Sequence, residues 1–231
     1  MSRVARIVVP GFPHHVTQRG NRRADIFETD QDREAYLRFL RDYCEKRELS
    51  VWAYCLMSNH VHLVVVPEKE SSLSEGLRDT HTVYAMYFNS RTELSGHVWQ
   101  GRFFSSPLDE SYLWAAVRYV ERNPVRAGMV ERAEAYRWSS AAAHCGLRED
   151  AVLSTAFPPA GVIDDWGEWF HEPLEDEDAI HTFIRHRTHT GRPCGPRKFL
   201  DQLEQLLGRT VQPKARGPKR GTKYRKRRKD K

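Results

Sequence analysis

An α+β, ferredoxin-like domain is expected from three features of the chain. Segments of strand and helix periodicity follow one another in the order β-α-β-β-α-β, with a further helix behind them. That is the split βαβ order of an antiparallel sheet carrying helices on one face. The most strongly patterned segment, His60-Val61-His62-Leu63-Val64-Val65-Val66, is rich in β-branched residues and reads as a strand. With 231 residues and 39% hydrophobic content, the chain can build one core and a small appendage.

Each element has its own signal. Residues 12–18 read as the first strand. Asp30 to Glu48 is the first helix: Tyr36, Leu37, Leu40 and Tyr43 recur at helical spacing, and Asp30 is placed to cap it. Val51 to Met57 is the second strand, and Ser58-Asn59 turns tightly into the third. Ser72-Leu73-Ser74-Glu75 matches a capping box and opens a helix to about Ser90. Val98 to Leu108 is the fourth strand, irregular at Gly101. Glu110 to Asn123 is the last helix of this unit. The boundaries expected are a main domain over 1–145, an acidic linker over 146–175, a small helical module over 176–208 and a basic tail over 209–231. In the module, Glu177 to about His189 reads as a helix. Phe199, Leu200, Leu203, Leu206 and Leu207 mark another, stopped by Gly208.

Composition narrows the function. No apolar stretch is long enough to cross a bilayer, so no membrane partner is expected, and the first ten residues lack a secretory h-region. The 4 cysteines, Cys44, Cys55, Cys145 and Cys194, form no Cys-x-x-Cys pair, and reduced thiols in a cytoplasmic setting are expected. The net charge is +6, yet residues 214–231 alone hold 11 Lys or Arg and one Asp, while residues 149–178 hold 10 Asp or Glu and no base. A tail of that kind suits a polyanion, with a phosphate backbone the first choice; a solvated tail without a dedicated partner is the plain alternative.

Two short patterns carry chemistry. Side chains alternate along a strand, so His60 and His62 share one face while Val61 and Leu63 take the other. Two imidazoles side by side are a ready pair of metal ligands, although two solvated histidines on a surface strand fit the spacing equally. Near the end of the Glu110 helix, Tyr119 and Asn123 stand four apart on one face, ahead of Pro124. A phenol, an amide oxygen and two imidazoles can then meet at one point. An ordinary Asn-Pro helix stop with a packed tyrosine is the competing account. Tyr112, two turns earlier, reads as packing, and Glu121 as solvated.

Taken together, Tyr54-Cys55-Leu56-Met57-Ser58-Asn59-His60-Val61-His62-Leu63 and Arg118-Tyr119-Val120-Glu121-Arg122-Asn123-Pro124-Val125-Arg126-Ala127-Gly128 resemble the REP-associated tyrosine transposases of the one-tyrosine HUH superfamily. Phe12 to Arg22, Val98 to Phe103 and Tyr136 to Ser140 fit the same pattern, in order, over residues 10 to about 145. The resemblance implies a palm-like sheet with one open face. It implies Tyr119 as the nucleophile, with His60, His62 and Asn123 holding a divalent metal, Mg²⁺ or Mn²⁺. The implied activity is a metal-dependent single-stranded DNA endonuclease and strand transferase acting at repeat hairpins through a 5′-phosphotyrosine intermediate.

Arg19, Asn21, Arg22 and Arg23 follow the first strand and are candidates for gripping DNA phosphates, as are Arg102 and Arg126. Trp99 and Phe103 can stack on bases, although strand aromatics more often pack. The expected partner is single-stranded or hairpin DNA, with no small-molecule substrate. The protein would act as a monomer or homodimer in the cytoplasm, associated with the nucleoid. Two other classes compete. One is a catalytically silent DNA-binding regulator derived from a transposase. The other is an RNA-recognition module, which needs aromatics where this sheet offers His60 and His62.

Overall fold

A computed structural model describes residues 6–157 and 162–212 of the chain. The basic tail at 214–231 and the Pro158-Pro159 pair lie outside the described residues. Four strands, β1 (His14–Arg19), β2 (Leu49–Met57), β3 (His60–Pro67) and β4 (Phe104–Pro107), form one antiparallel sheet in the order β2-β3-β1-β4. With α1 (Asp30–Lys46) after β1 and α2 (Ser72–Thr92) after β3, this is the expected ferredoxin-like arrangement. Among the described residues, no helix is long and apolar enough to cross a membrane.

Local boundaries differ from the expectation in ways that side-chain bonding explains. The cap of α1 is Thr29 rather than Asp30. Thr29 accepts from the Asp32 amide and Asp32 accepts in return from the Thr29 amide, closing a capping box one residue earlier. The Ser72–Glu75 box does not form: Ser71 precedes α2 without a side-chain cap, and the Ser72 hydroxyl accepts from Lys69 N instead. The fourth strand is cut to Phe104–Pro107. Its expected first half follows a separate course, making one bridge from Trp99 to Gly20. The last helix splits at Arg122 into α3 (Glu110–Glu121) and α4 (Asn123–Arg126), and Pro124 fits the first turn of α4, where its missing N–H costs nothing.

The expected open face of the sheet is covered. On one face, Leu49, Val65, Leu63 and Val61 meet α1 and α2; a side-chain carbon added to Gly76 of α2 would lie 3.1 Å from Leu49. On the other face lie α3 and, after α5 (Ala141–His144) and α6 (Trp166–His171), α7 (Glu177–Thr190). The segment read as an acidic linker is not free of the body. It puts Phe157, Trp166 and Phe170 into the main core, where Phe157 stacks on Trp52 and Trp166 on His144. Its density of carboxylates suggests solvation, but the aromatics between them bury. Finally, α8 (Arg197–Leu207) closes a small second core with Ile7, Val9, Phe12 and Val211, which ties the helical module to the N-terminal segment.

Two buried polar clusters lock this second layer. Arg118 is fully buried on α3, and its guanidinium donates to the carbonyls of Trp169 and Glu172 and faces Glu177 at 3.5 Å. A buried guanidinium is tolerated only when its donors are matched in this way. Glu121, expected to be solvated, is also fully buried. Ser140 donates to it and His144 Nδ1 lies 2.8 Å away. Burial alone would lower the His144 pKa; the Glu121 carboxylate, with Asp150 and the Trp52 backbone adding to it, turns the net shift upward.

Candidate active site

The pairing register assembles the site. Across β1 and β3, Thr17 lies opposite His62 and Arg19 opposite His60, and His15 lies opposite Val64. Opposed residues project to the same face, so His15, Arg19, His60 and His62 share the face that α3 and α7 cover. The His60 and His62 rings are 5.0 Å apart. Tyr119, on α3, lies edge-on to both His62 and His15, with centroids 5.4 and 5.6 Å away. His181 of α7 closes the other side of Tyr119 at 5.0 Å, and the Arg126 guanidinium sits 4.6 Å over the tyrosine ring. Tyr119 is 2% exposed.

The two histidines are oriented through their δ nitrogens. His60 Nδ1 is 2.6 Å from Asn59 Oδ1, and the Asn59 amide nitrogen donates to the Arg23 carbonyl at 3.1 Å. A carbonyl only accepts, so this second bond fixes which way the amide faces; its oxygen then receives the His60 Nδ1 proton and leaves Nε2 with its lone pair. His62 Nδ1 is 3.1 Å from His15 Nε2, which leaves His62 Nε2 untied as well. Burial pushes the pKa of His60 down to about 4, helped by the charge of Arg19. Burial also takes His62 well below the usual histidine range, with His60, His15, Arg126 and Arg19 adding to the effect, and burial brings His15 to about 3. All three imidazoles are therefore neutral near pH 7, the form that ligates metals.

Asn123 opens α4, one turn beyond Tyr119, and is buried; its Nδ2 has no partner among the described residues. An unpaired amide nitrogen only donates, so a cation-binding role for Asn123 would fall to its Oδ1; the untied Nε2 atoms of His60 and His62 are the donors that fit a divalent cation, whose remaining positions would come from phosphate and water. Among the described residues, no set of three His, Cys, Asp or Glu side chains gathers as a complete metal cage, so an ion here needs the amide and outside oxygens.

The basic candidates divide. Arg19 faces His60 across the strand pair and Arg126 covers Tyr119, so both reach the site. Arg22 and Arg23 are exposed at the end of β1, held in left-handed backbone at φ 53° and 64°, and Asn21 is pinned there by its amide bond to Val98. Such a pair of strained non-glycine residues costs energy and marks a loop whose shape matters. Arg102 is exposed but stands beside Phe103 and Arg6, with no contact to the histidines. Trp99 and Phe103 are committed to packing. The Trp99 indole donates to His81 O at 2.8 Å, and Phe103 lies under Arg6 at 3.6 Å. Tyr112 packs on Phe183 as expected.

Sequence reasoning did not single out His15, His181 or Thr188 as parts of this site. For His15 a signal existed: it lies in the first strand, and its parity matches Thr17 and Arg19. Its meeting with His62 needs the β1–β3 register, which no local pattern contains.

A family model described as "Transposase IS200 like" matches residues 9–123. A solved structure of a REP-associated tyrosine transposase bound to a REP hairpin is similar over 67% of this chain and 92% of its own, at 21% identity with a TM-score of 0.53, a likeness of fold. A candidate transposase from Deinococcus radiodurans is more distant: 16% identity, 52% of this chain, 97% of its own and a TM-score of 0.38. No curated protein matches the chain.

Proposed function

Over residues 9–123 the chain belongs to the IS200-like transposases, and on that basis we propose that it is a metal-dependent single-stranded DNA endonuclease and strand transferase with Tyr119 as its nucleophile. The observation that carries the proposal is the enclosure of Tyr119 by His62, His15, His181 and Arg126 on the face that holds His60.

The Tyr119 oxygen forms a bond to phosphorus as the bond to the 3′ oxygen breaks. The phenol gives up its proton and the departing 3′ oxygen gains one, leaving the 5′-phosphate on Tyr119 and a free 3′-OH. That ester keeps the energy of the original diester, so a later 3′-OH can reverse the step on a new end. Arg126, over the ring, offers a positive charge to the phosphate and to the forming phenolate. His60, His62 and Asn123 would hold a divalent cation, Mg²⁺ or Mn²⁺, that supplies further charge for the phosphate oxygens. All three ligands are neutral, so they leave the ion's charge intact. Arg19, Arg22, Arg23 and Asn21 form a basic edge beside His60 for the strand, with Arg102 further along the surface. The REP hairpin bound by the structurally similar transposase supports a hairpin as substrate.

The near-complete burial of Tyr119 beneath α7 favours one second reading, a DNA-binding regulator that no longer cuts. A labelled single-stranded hairpin with Mn²⁺ separates the two. The transposase reading expects a denaturation-resistant protein–DNA species from the wild type and none from Tyr119→Phe. Cleavage by the Phe variant near the wild-type rate would instead mean a metal-dependent hydrolytic nuclease. Hairpin binding with neither cleavage nor adduct would mean the regulator.

A further inference from the structure

His62 has an arrangement that His60 does not share. Its Nδ1 meets His15 Nε2 at 3.1 Å, and His15 Nδ1 meets the Thr188 hydroxyl of α7 at 2.7 Å. The two rings are nearly parallel, 8° apart, which lets the shared hydrogen lie close to both ring planes. Exposure is 5% for His62 and 1% for both His15 and Thr188, so water does not compete for these bonds.

A neutral imidazole donates from one nitrogen and accepts at the other. The chain of three therefore has two self-consistent directions. If Thr188 donates to His15 and His15 donates to His62, the remaining proton of His62 sits on Nε2 and blocks it. If His62 Nδ1 donates to His15 and His15 Nδ1 donates to Thr188 Oγ1, His62 Nε2 is free. Only the second direction gives a ligand. For His60 the matter is closed by Asn59 and the Arg23 carbonyl, whereas for His62 it depends on a hydroxyl, which can point either way.

We propose that His15 and Thr188 are positioning residues that hold His62 with Nδ1 protonated and Nε2 open, which makes α7 part of the outer shell of the site. The proposal rests on the reading of His62 as a metal ligand. Outer-shell partners of this kind orient a ligand ring and typically change metal affinity by about 10–100-fold.

The test uses the full chain without DNA, reading Mn²⁺ affinity by electron paramagnetic resonance and the His62 tautomer by ¹⁵N NMR of the metal-free protein. His15→Leu removes the acceptor and should weaken Mn²⁺ binding by roughly 10–100-fold. His15→Gln, whose amide oxygen can accept the same hydrogen, should recover most of it. Thr188→Val should weaken binding in the same direction by a smaller factor, and Thr188→Ser should not. A folded His15→Leu variant with wild-type Mn²⁺ affinity, or a Gln variant no better than Leu, overturns the proposal. If His15→Leu does not fold, Thr188→Val and the tautomer decide: a wild-type His62 carrying its proton on Nε2 also overturns it. A wild type that binds no Mn²⁺ sinks the metal reading itself, while the tautomer measurement still decides for or against the relay.

Discussion

Along β3, Val61, Leu63 and Val65 point to the layer of α1 and α2, while His60 and His62, interleaved with them, point to α3 and α7. Both faces are covered. The valine face is closed by aliphatic and aromatic packing, in which Val61, Leu63, Tyr36 and Tyr84 have essentially no exposure. The histidine face is closed by paired polar groups: His62 with His15, His15 with Thr188, and Arg118 with two carbonyls and Glu177. Burying apolar area stabilises without need of a partner, whereas burying a polar group is tolerated only with one. One strand thus serves stability on one side and chemistry on the other, and the two should come apart under mutation.

The sharpest break is on the histidine side. Changing His60 or His62 to Ala should abolish cleavage, by roughly a thousandfold or more if the metal is essential, while hairpin binding persists. Full cleavage by the double Ala variant, or full activity in chelator, would remove the metal from the mechanism. The valine side should answer in the opposite way. Leu63→Ala should cost about 2–5 kcal/mol of stability in denaturant melts, with cleavage retained wherever the protein remains folded. Equal loss of activity and stability in both variants would mean that the two faces are one cooperative unit.

Acid probes the contrast next, because the valine side also buries imidazoles. His14 Nδ1 donates to Phe12 O at 2.8 Å and its Nε2 accepts from Val9 N at 3.3 Å, an arrangement only the neutral ring can make. Burial lowers its pKa from 6.5 to about 4, against the Phe12 bond and with Arg6 assisting; burial takes His81, bonded to Tyr36, to about 3. The unfolded chain binds these protons first, so the stability they carry is whole above pH 6.5 and falls as pH drops toward 4. The loss is up to about 1.4 kcal/mol per pH unit for each ring. His144, shifted upward, carries stability that is whole below pH 6.5 and lost as pH rises above it, so it does not counter this loss. Denaturation midpoints that stay level from about pH 7 to about pH 5 would refute this.

The mildest change concerns neither face. Deleting residues 214–231 should weaken DNA binding and shrink its salt dependence by roughly three units of slope, at about 0.7 per phosphate neutralised. An unchanged slope would assign the phosphate contacts to Arg19, Arg22, Arg23 and the rest of the domain.

Much of the fold is legible in the sequence because its signals are local. The strand at 60–66, the helices from Asp30 and Glu110 and the stop at Gly208 follow from periodicity and end residues within a few positions. The errors have two sources, one local and one distant. Thr29 and Asp30 both cap well, and only the reciprocal bond from Asp32 decides between them. Glu121 reads as solvated because nothing nearby announces Ser140 and His144, which arrive from a later segment.

Periodicity alone settles that His60 and His62 share a face and that Tyr119 precedes Asn123 by one turn, because strand and helix periods are properties of the backbone. What surrounds these residues is set by long-range packing. The β1–β3 register brings His15 to His62, and α7 brings Thr188 to His15 from 173 residues away. A covered sheet face, neutral buried imidazoles and an enclosed tyrosine all depend on which distant segments pack there. Packing is selected by the sum of many weak contacts over the whole core, so no short stretch of sequence records it.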